Sequence, residues 1–460
     1  MVSAFSKKEV GYPYSLGRKE KRKEDEVMKK RKAFIVFVGL LLAFQVFYVS
    51  TVAAQEGTVD SKDVERLERL IKEQQQQLES LQQQVKQLKK TATDAQAQAK
   101  EAKSVAEEAK TTVVAPVKKG VTSGQERVKL AISGQVNRAM NMVDDGKNTK
   151  AYYVDNDASN SRIRFIGTAK ATDDLTLGTL IEVAIAPNES SDVSQDNEES
   201  GDFFDERWTD LSLDSKRFGK LFLGKGGTAS YGSAWVDLSK VDVIAYASVA
   251  DIAGGIQFRE KNGDDTLTGV SVSDAFNSFN GLSRKTRVRY DSPTFNGFRL
   301  SGSAISNQRY DATLWWGGQG YGFKAAGSAA VAYPNQDDTD MQYDGSFSLL
   351  HEDTGLNLTL SAGLQERDNQ GDASNFYTKV GWLTRFFSFG ETAFGVDFTR
   401  SMNLPTGTDD GFSVGAAAVQ QFEDYGTELY VQYRIYSLDR DADPNVQDIN
   451  VGTIGARVKF

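Results

Sequence analysis

Residues Leu356–Gln365 read LNLTLSAGLQ. In an extended chain Leu356, Leu358, Leu360, Ala362 and Leu364 fall on one face, and Asn357, Thr359, Ser361 and Gln365 on the other. The segment has the length that a tilted strand needs to cross a bilayer, about 9 to 11 residues. Similar segments flank it on both sides. Leu429, Val431, Tyr433 and Ile435 alternate with Tyr430, Gln432 and Arg434, and Gly452, Ile454, Ala456, Val458 and Phe460 alternate with Val451, Thr453, Gly455, Arg457 and Lys459. In Ser161–Ala171, SRIRFIGTAKA, the residues Arg162, Arg164, Thr168 and Lys170 oppose Ile163, Phe165, Gly167 and Ala169. About sixteen such segments fit between Val128 and Phe460. Their apolar faces are rich in Leu, Phe and Tyr, and the opposite faces read as polar throughout.

The connections carry a second regularity. Short turns (ATDD at 171, GQG at 318, DTG at 353, SFG at 388, DYG at 424) alternate with longer polar loops (ESSDVSQDNEESGD at 189, NQDDTD at 335, RDNQGDA at 367, DRDADPNVQD at 439). A soluble antiparallel sheet also alternates its faces, but it has no reason to sort its loops by length. An antiparallel barrel crossing a membrane does, and an even strand number returns both ends of the chain to the same side. The expected fold is therefore an all-β transmembrane barrel over 128–460.

Composition narrows the function. The chain has 460 residues with 41 Gly, 7 Pro and no Cys, which suits many strands and turns and removes disulfides, thiolate metal sites and Cys nucleophiles. A formal net charge of −9 argues against nucleic acid as a partner. The single histidine, His351, lies on a predicted strand with no nucleophile motif beside it. The stretch GKGGT at 224 lacks the ending of a phosphate loop, and the acidic runs lack EF-hand spacing. No enzyme, cofactor or metal site is expected.

Residues 1–54 read as an upstream extension plus an export signal: Lys29–Lys32 precede an apolar run from Ala33 to about Val49, then Val52-Ala53-Ala54 offers small residues for cleavage before Gln55. A retained anchor helix is the alternative, and translation from Met28 rather than Met1 is expected. Residues 55–115 read as a coiled-coil stalk. Val64, Ile71, Leu78 and Val85 occupy a positions and Leu67, Leu81 and Leu88 d positions, continued by Ala92, Ala95, Ala99, Ala102, Ala106 and Ala109. Residues 116–127, with Pro116 and GVTSG, form a linker.

Several stretches resemble the general trimeric porins of Gram-negative outer membranes: SGQVN (133–137), SRIRFIG, ERWTDLSLDSKRFGKLFLGKGGTAS, RVRYDSPTFNGF (287–298) and the terminal Phe460. The resemblance implies sixteen strands with an infolded third loop, here about Thr228 to Lys285, that narrows a pore passing small hydrophilic solutes. Should GGIQFRE and LTGVSVSD within that loop span the membrane, the count becomes eighteen, as in sugar-type porins. The resemblance further places a basic pore wall at Arg162, Arg164, Arg207, Lys225, Arg287 and Arg289, and facing acidic residues at Asp237, Asp242 and Asp251. Phe460 corresponds to the signal read by the barrel assembly machinery, although Val458 stands where that signal often has an aromatic residue. Implied partners are two further copies in a homotrimer, outer-membrane lipid and lipopolysaccharide, and the assembly machinery, with peptidoglycan as a candidate for the periplasmic stalk. Weak ion selectivity is expected. A channel for one anionic nutrient and an envelope tether are the alternatives.

Overall fold

The computed structural model describes residues 128–201, 204–261, 266–336, 338–368, 371–441 and 444–460. The export signal, coiled coil and linker lie outside the described residues. The strands are β1 (Val128–Asp144), β2 (Thr149–Asp155), β3 (Arg162–Lys170), β4 (Leu175–Ile185), β5 (Phe204–Ser215), β6 (Gly219–Gly227), β7 (Gln257–Arg259), β8 (Leu267–Ser271), β9 (Arg284–Asp291), β10 (Phe298–Ile305), β11 (Arg309–Gly320), β12 (Phe323–Tyr333), β13 (Gln342–His351), β14 (Leu356–Gln365), β15 (Ala373–Phe387), β16 (Gly390–Met402), β17 (Asp410–Phe422), β18 (Thr427–Asp439) and β19 (Ile449–Lys459). All but β7 and β8 belong to one antiparallel sheet. It closes between β1 and β19, in register from Gln135↔Lys459 to Asp144↔Asn450.

β2 and β3 are two halves of one stave. Both pair with β1, β2 from Asp144↔Thr149 to Arg138↔Asp155 and β3 from Gln135↔Arg162 to Val128↔Ala169. Between them Asp157–Ser159 forms a short 3-10 turn that leaves the sheet. The barrel therefore has sixteen staves. β7 and β8 pair only with each other, so the eighteen-strand alternative fails: three and five residues are too short to span.

The alternation of the sequence becomes an inverted pattern of exposure. Leu356 and Leu364 are exposed on the outer face of β14, whereas Asn357, Thr359 and Ser361 are buried on its inner face. At the end of the barrel that holds Val128 and Phe460, no turn exceeds six residues. The long connections 186–203, 228–283 and 440–448 lie at the other end, where 145–148 and 306–308 are the short exceptions. One expected turn is displaced. GQG remains in β11, and the hairpin turns at Tyr321 and Gly322, with φ of 54° and 78°. Positive φ at both positions is what a two-residue type I′ turn requires.

Loop 228–283 folds into the barrel and corrects the expectation of uniformly polar inner faces. Its apolar stretch, including Val241, Val243, Ile244, Val249 and Ile252, packs on inward-facing Ala393, Val419, Tyr436, Ile449 and Val451 in one buried cluster. Hydrogen bonds fix the loop around the wall. Ser303 accepts from Ala229 N at 2.7 Å, Ser346 from Val236 N at 2.9 Å and Ser348 from Leu238 N at 3.0 Å. Gln342 donates to Phe279 O at 2.8 Å, Gln432 to Ile244 O at 2.8 Å, Tyr436 to Val249 O at 2.6 Å and Asn141 to Ile252 O at 2.7 Å. Among the described residues, the longest run of consecutive staves with no such bond to the loop's interior goes from β3 to β6.

Candidate functional site: the channel constriction

That segment carries Arg162, Arg164 and Arg207. Arg164 and Glu182 stand directly opposite across β3 and β4. Glu182 is buried and receives three guanidinium groups: Arg164 donates to Oε2, Arg207 to Oε1 at 2.6 Å, and Arg162 approaches to 3.7 Å. One carboxylate cannot neutralise three arginines, so the group gathered on Glu182 keeps an excess of positive charge. Arg207 reaches Glu182 because it is the extra residue of a β-bulge: Trp208 pairs with Glu182 and Glu206 with Val183.

Arg287 makes a two-pronged pair with Asp210 at 2.8 and 2.7 Å and also donates to Gly227 O at 3.0 Å. Its side chain is fully buried, which places it in the wall as a brace. Arg289 similarly forks onto Asp291 at 2.7 and 3.0 Å. Both guanidiniums lie over the Phe222 ring, at 5.5 and 5.4 Å. Lys225 is placed differently from the arginines. It shares the outward parity of exposed Leu221 and Leu223 and pairs with Glu206 at 3.6 Å, so its place in the basic wall is corrected.

The three loop aspartates also separate. Asp237 pairs with fully buried Lys379, whose ammonium also donates to Ala245 O at 2.7 Å, so Asp237 fastens the loop. Asp242 is exposed inside the barrel. Its confined position, and then the charge of Asp237, raises its pKa against the pull of Arg457 and Lys379. Asp251 accepts from the Tyr246 hydroxyl and from Ser248 Oγ at 3.0 Å. Burial, then Asp157, pushes its carboxyl up to about 7, and burial does the same to Glu189 on loop 186–203.

Sequence reasoning missed the counter-ions Glu182, Asp210 and Asp291, although Glu182 stands out as the only ionisable residue in LTLGTLIEVAI. It also missed Arg457, which pairs with Glu428 at 2.6 Å and donates to Ser159 Oγ at 2.7 Å, the same oxygen that Arg162 reaches at 3.1 Å. Phe460 closes the seam by backbone hydrogen bonds to Gly134 at 2.8 and 3.0 Å. Among the described residues no group of three or more His, Asp or Glu is arranged to hold a metal ion.

A closed sixteen-stave barrel with an apolar outer face, a polar lumen and an infolded loop defines a membrane-spanning channel. Solved structures agree on the fold. An anion-selective porin from Comamonas acidovorans has 15% identity and a TM-score of 0.50, covering 72% of this chain and 100% of that one. In-vitro folded OmpT of Vibrio cholerae has 12% identity and a TM-score of 0.50, covering 74% and 100%. OprB of Pseudomonas putida at high pH has 8% identity and a TM-score of 0.50, covering 73% and 94%. No curated protein sequence matches the chain. A family model for Gram-negative porins matches residues 94–453, and the chain belongs to that family. It is an outer-membrane channel for passive diffusion of small hydrophilic solutes.

Proposed function

We propose that the gap between the arginine group on Glu182 and loop 228–283 is the selectivity neck of this diffusion channel. The observation that carries this reading is the convergence of Arg162, Arg164 and Arg207 on a single carboxylate. Fixed excess charge beside a narrow aqueous path raises the local concentration of counter-ions. The neck therefore favours anions, while the carboxylates of the outer loops favour cations at the mouth. The net result is weak selectivity.

Replacing Arg162 and Arg164 together by Ala leaves Arg207 and Glu182 as a neutral pair. Conductance then rises, and the reversal potential across a salt gradient in a planar bilayer moves toward that of a cation-preferring pore. An unchanged reversal potential would remove these arginines from the neck. A channel for one anionic nutrient is the competing reading, which the same arginine group supports. Liposome swelling separates the two: entry limited only by solute size fits diffusion, and saturation by one solute fits specificity.

The remaining assignments rest on the sequence patterns and on the porin resemblance. Residues 1–54 are removed on export, residues 55–115 form a periplasmic coiled coil, the channel is a homotrimer, and Phe460 is read by the assembly machinery. Conductance steps in groups of three from purified oligomer would support the trimer. Envelope integrity after deletion of residues 58–113 tests whether the stalk tethers the outer membrane to peptidoglycan.

A further inference from the structure

Four aromatic rings in the constriction stand outside the charge argument. Trp208, on the inward face of β5, meets Tyr231 at 6.2 Å between ring centroids; Tyr231 meets Trp235 at 5.6 Å, and Trp235 meets Tyr246 at 5.3 Å. Every step is edge-to-face, with planes 75°, 75° and 70° apart. Trp208, Tyr231 and Trp235 each keep part of their surface accessible. The ladder begins beside Arg207 and ends where Tyr246 donates to Asp251.

The GKGGT stretch, which resembles a phosphate loop only superficially, makes room for these rings. A Cβ on Gly226 would stand 2.5 Å from the Trp208 ring, and one on Gly227 would stand 2.8 Å from Tyr231 and 2.9 Å from Trp208. Cations flank the ladder. The Arg284 guanidinium lies 5.4 Å from the centre of Tyr231, donates to its hydroxyl at 2.8 Å, and has no carboxylate partner among the described residues. Tyr231 is also an electrostatic neighbour of Arg162 and Arg207. Next to Trp208 the lumen holds a cavity of about 210 Å³ lined by Ile166, Leu180, Asp210, Lys220 and Phe222. A cavity of about 150 Å³ is enough to admit benzene.

We propose that the constriction carries a binding site for planar aromatic carboxylates, the ring meeting Trp208, Tyr231 and Trp235 and the carboxylate meeting Arg284 and the excess charge around Glu182. The proposal deepens the channel reading and rests on it. An aromatic solute offers a quadrupole that matches the alternating faces and edges of the ladder, and an aliphatic ring of the same size and charge does not. Charge alone would treat the two alike.

The test uses purified full-length protein in planar bilayers, with benzoate or cyclohexanecarboxylate added and the concentration for half-block of the single-channel current measured. Benzoate is expected to block at a concentration about three- to tenfold lower. Trp208→Leu should abolish that ratio, whereas Arg164→Gln should weaken both acids and keep the ratio. Equal block of the unaltered channel by both acids overturns the proposal, and so does a ratio that survives in Trp208→Leu. The comparison in the unaltered channel decides the matter should a variant fail to form pores. Absence of any ion-conducting step in the unaltered protein would instead refute the channel reading itself.

Discussion

Glu182 holds a position that no single side chain around it explains. It lies directly across from Arg164, and bulged Arg207 and neighbouring Arg162 converge on it. Glu182→Gln removes the carboxylate that all three guanidiniums share, so anion preference rises in reversal-potential measurements even as the three guanidiniums repel one another. Asp210 plays a different part. Its Asn or Ala variant leaves Arg287, with a fully buried side chain, without a carboxylate, at a cost of about 3–5 kcal/mol, read as a lower midpoint in urea unfolding of the micelle-bound barrel. At this scale the period-two reading of SRIRFIGTAKA was sufficient to turn Arg162 and Arg164 inward. The same reading applied to Leu221, Leu223 and Lys225 turns Lys225 outward, where the structure has it; family likeness alone places it in the pore. Arg207 was beyond any simple periodicity, because a bulge shifts the parity of the strand and leaves no mark in composition.

Loop 228–283 shows the limits of reading at the scale of an element. Its apolar stretch at 241–250 went unremarked in the sequence, although the loop's length was visible between two clear strands. What that stretch packs against was not, because inner-wall residues such as Ala393, Val419 and Ile449 make a core only after the loop has folded inward. Two consequences can be measured. Lys379→Met leaves Asp237 without its partner inside the barrel, a loss of about 3–5 kcal/mol that loosens the loop, so the channel should show larger and noisier conductance. The second consequence concerns pH. Asp251 and Glu189 are both raised to about 7, mainly by burial, and both lie outside the membrane-spanning strands. A raised carboxylate pKa stabilises the folded loop below the ordinary carboxylate range, and that contribution is lost as pH climbs through about 7. Ionisation over the same interval adds negative charge near the constriction. Cation permeability therefore increases between about pH 5 and about pH 9. Asp251→Asn with Glu189→Gln flattens the dependence of reversal potential on pH.

The molecule as a whole was the most legible level. Face alternation and loop sorting together specified a closed membrane barrel and the side on which its ends meet. The count of sixteen came from the family resemblance; the structure supplies the physical reason, since β7 and β8 are too short to cross and one stave is built from two strands, β2 and β3. Barrel closure from Val128 onward uses only pairings among the described strands. A chain lacking residues 58–113 is accordingly expected to conduct with unchanged single-channel steps, measured in planar bilayers, whatever happens to its envelope role.

The anchoring of loop 228–283 also bears on the order in which the protein can be built. The loop bonds to Asn141 on the first stave and to Gln432 and Tyr436 on the fifteenth, so it bridges both flanks of the β1–β19 seam from within. A barrel that closed while still empty would need to admit a segment of more than fifty residues past its rim and bury the cluster afterwards. A sheet that curls around a loop already seated faces no such obstacle. The loop then serves as a former over which the two ends of the sheet meet, and closure of the seam is the last event. Weakening the loop's hold, as in Lys379→Met, should slow refolding into detergent micelles more than it accelerates unfolding, because the template is required on the way in.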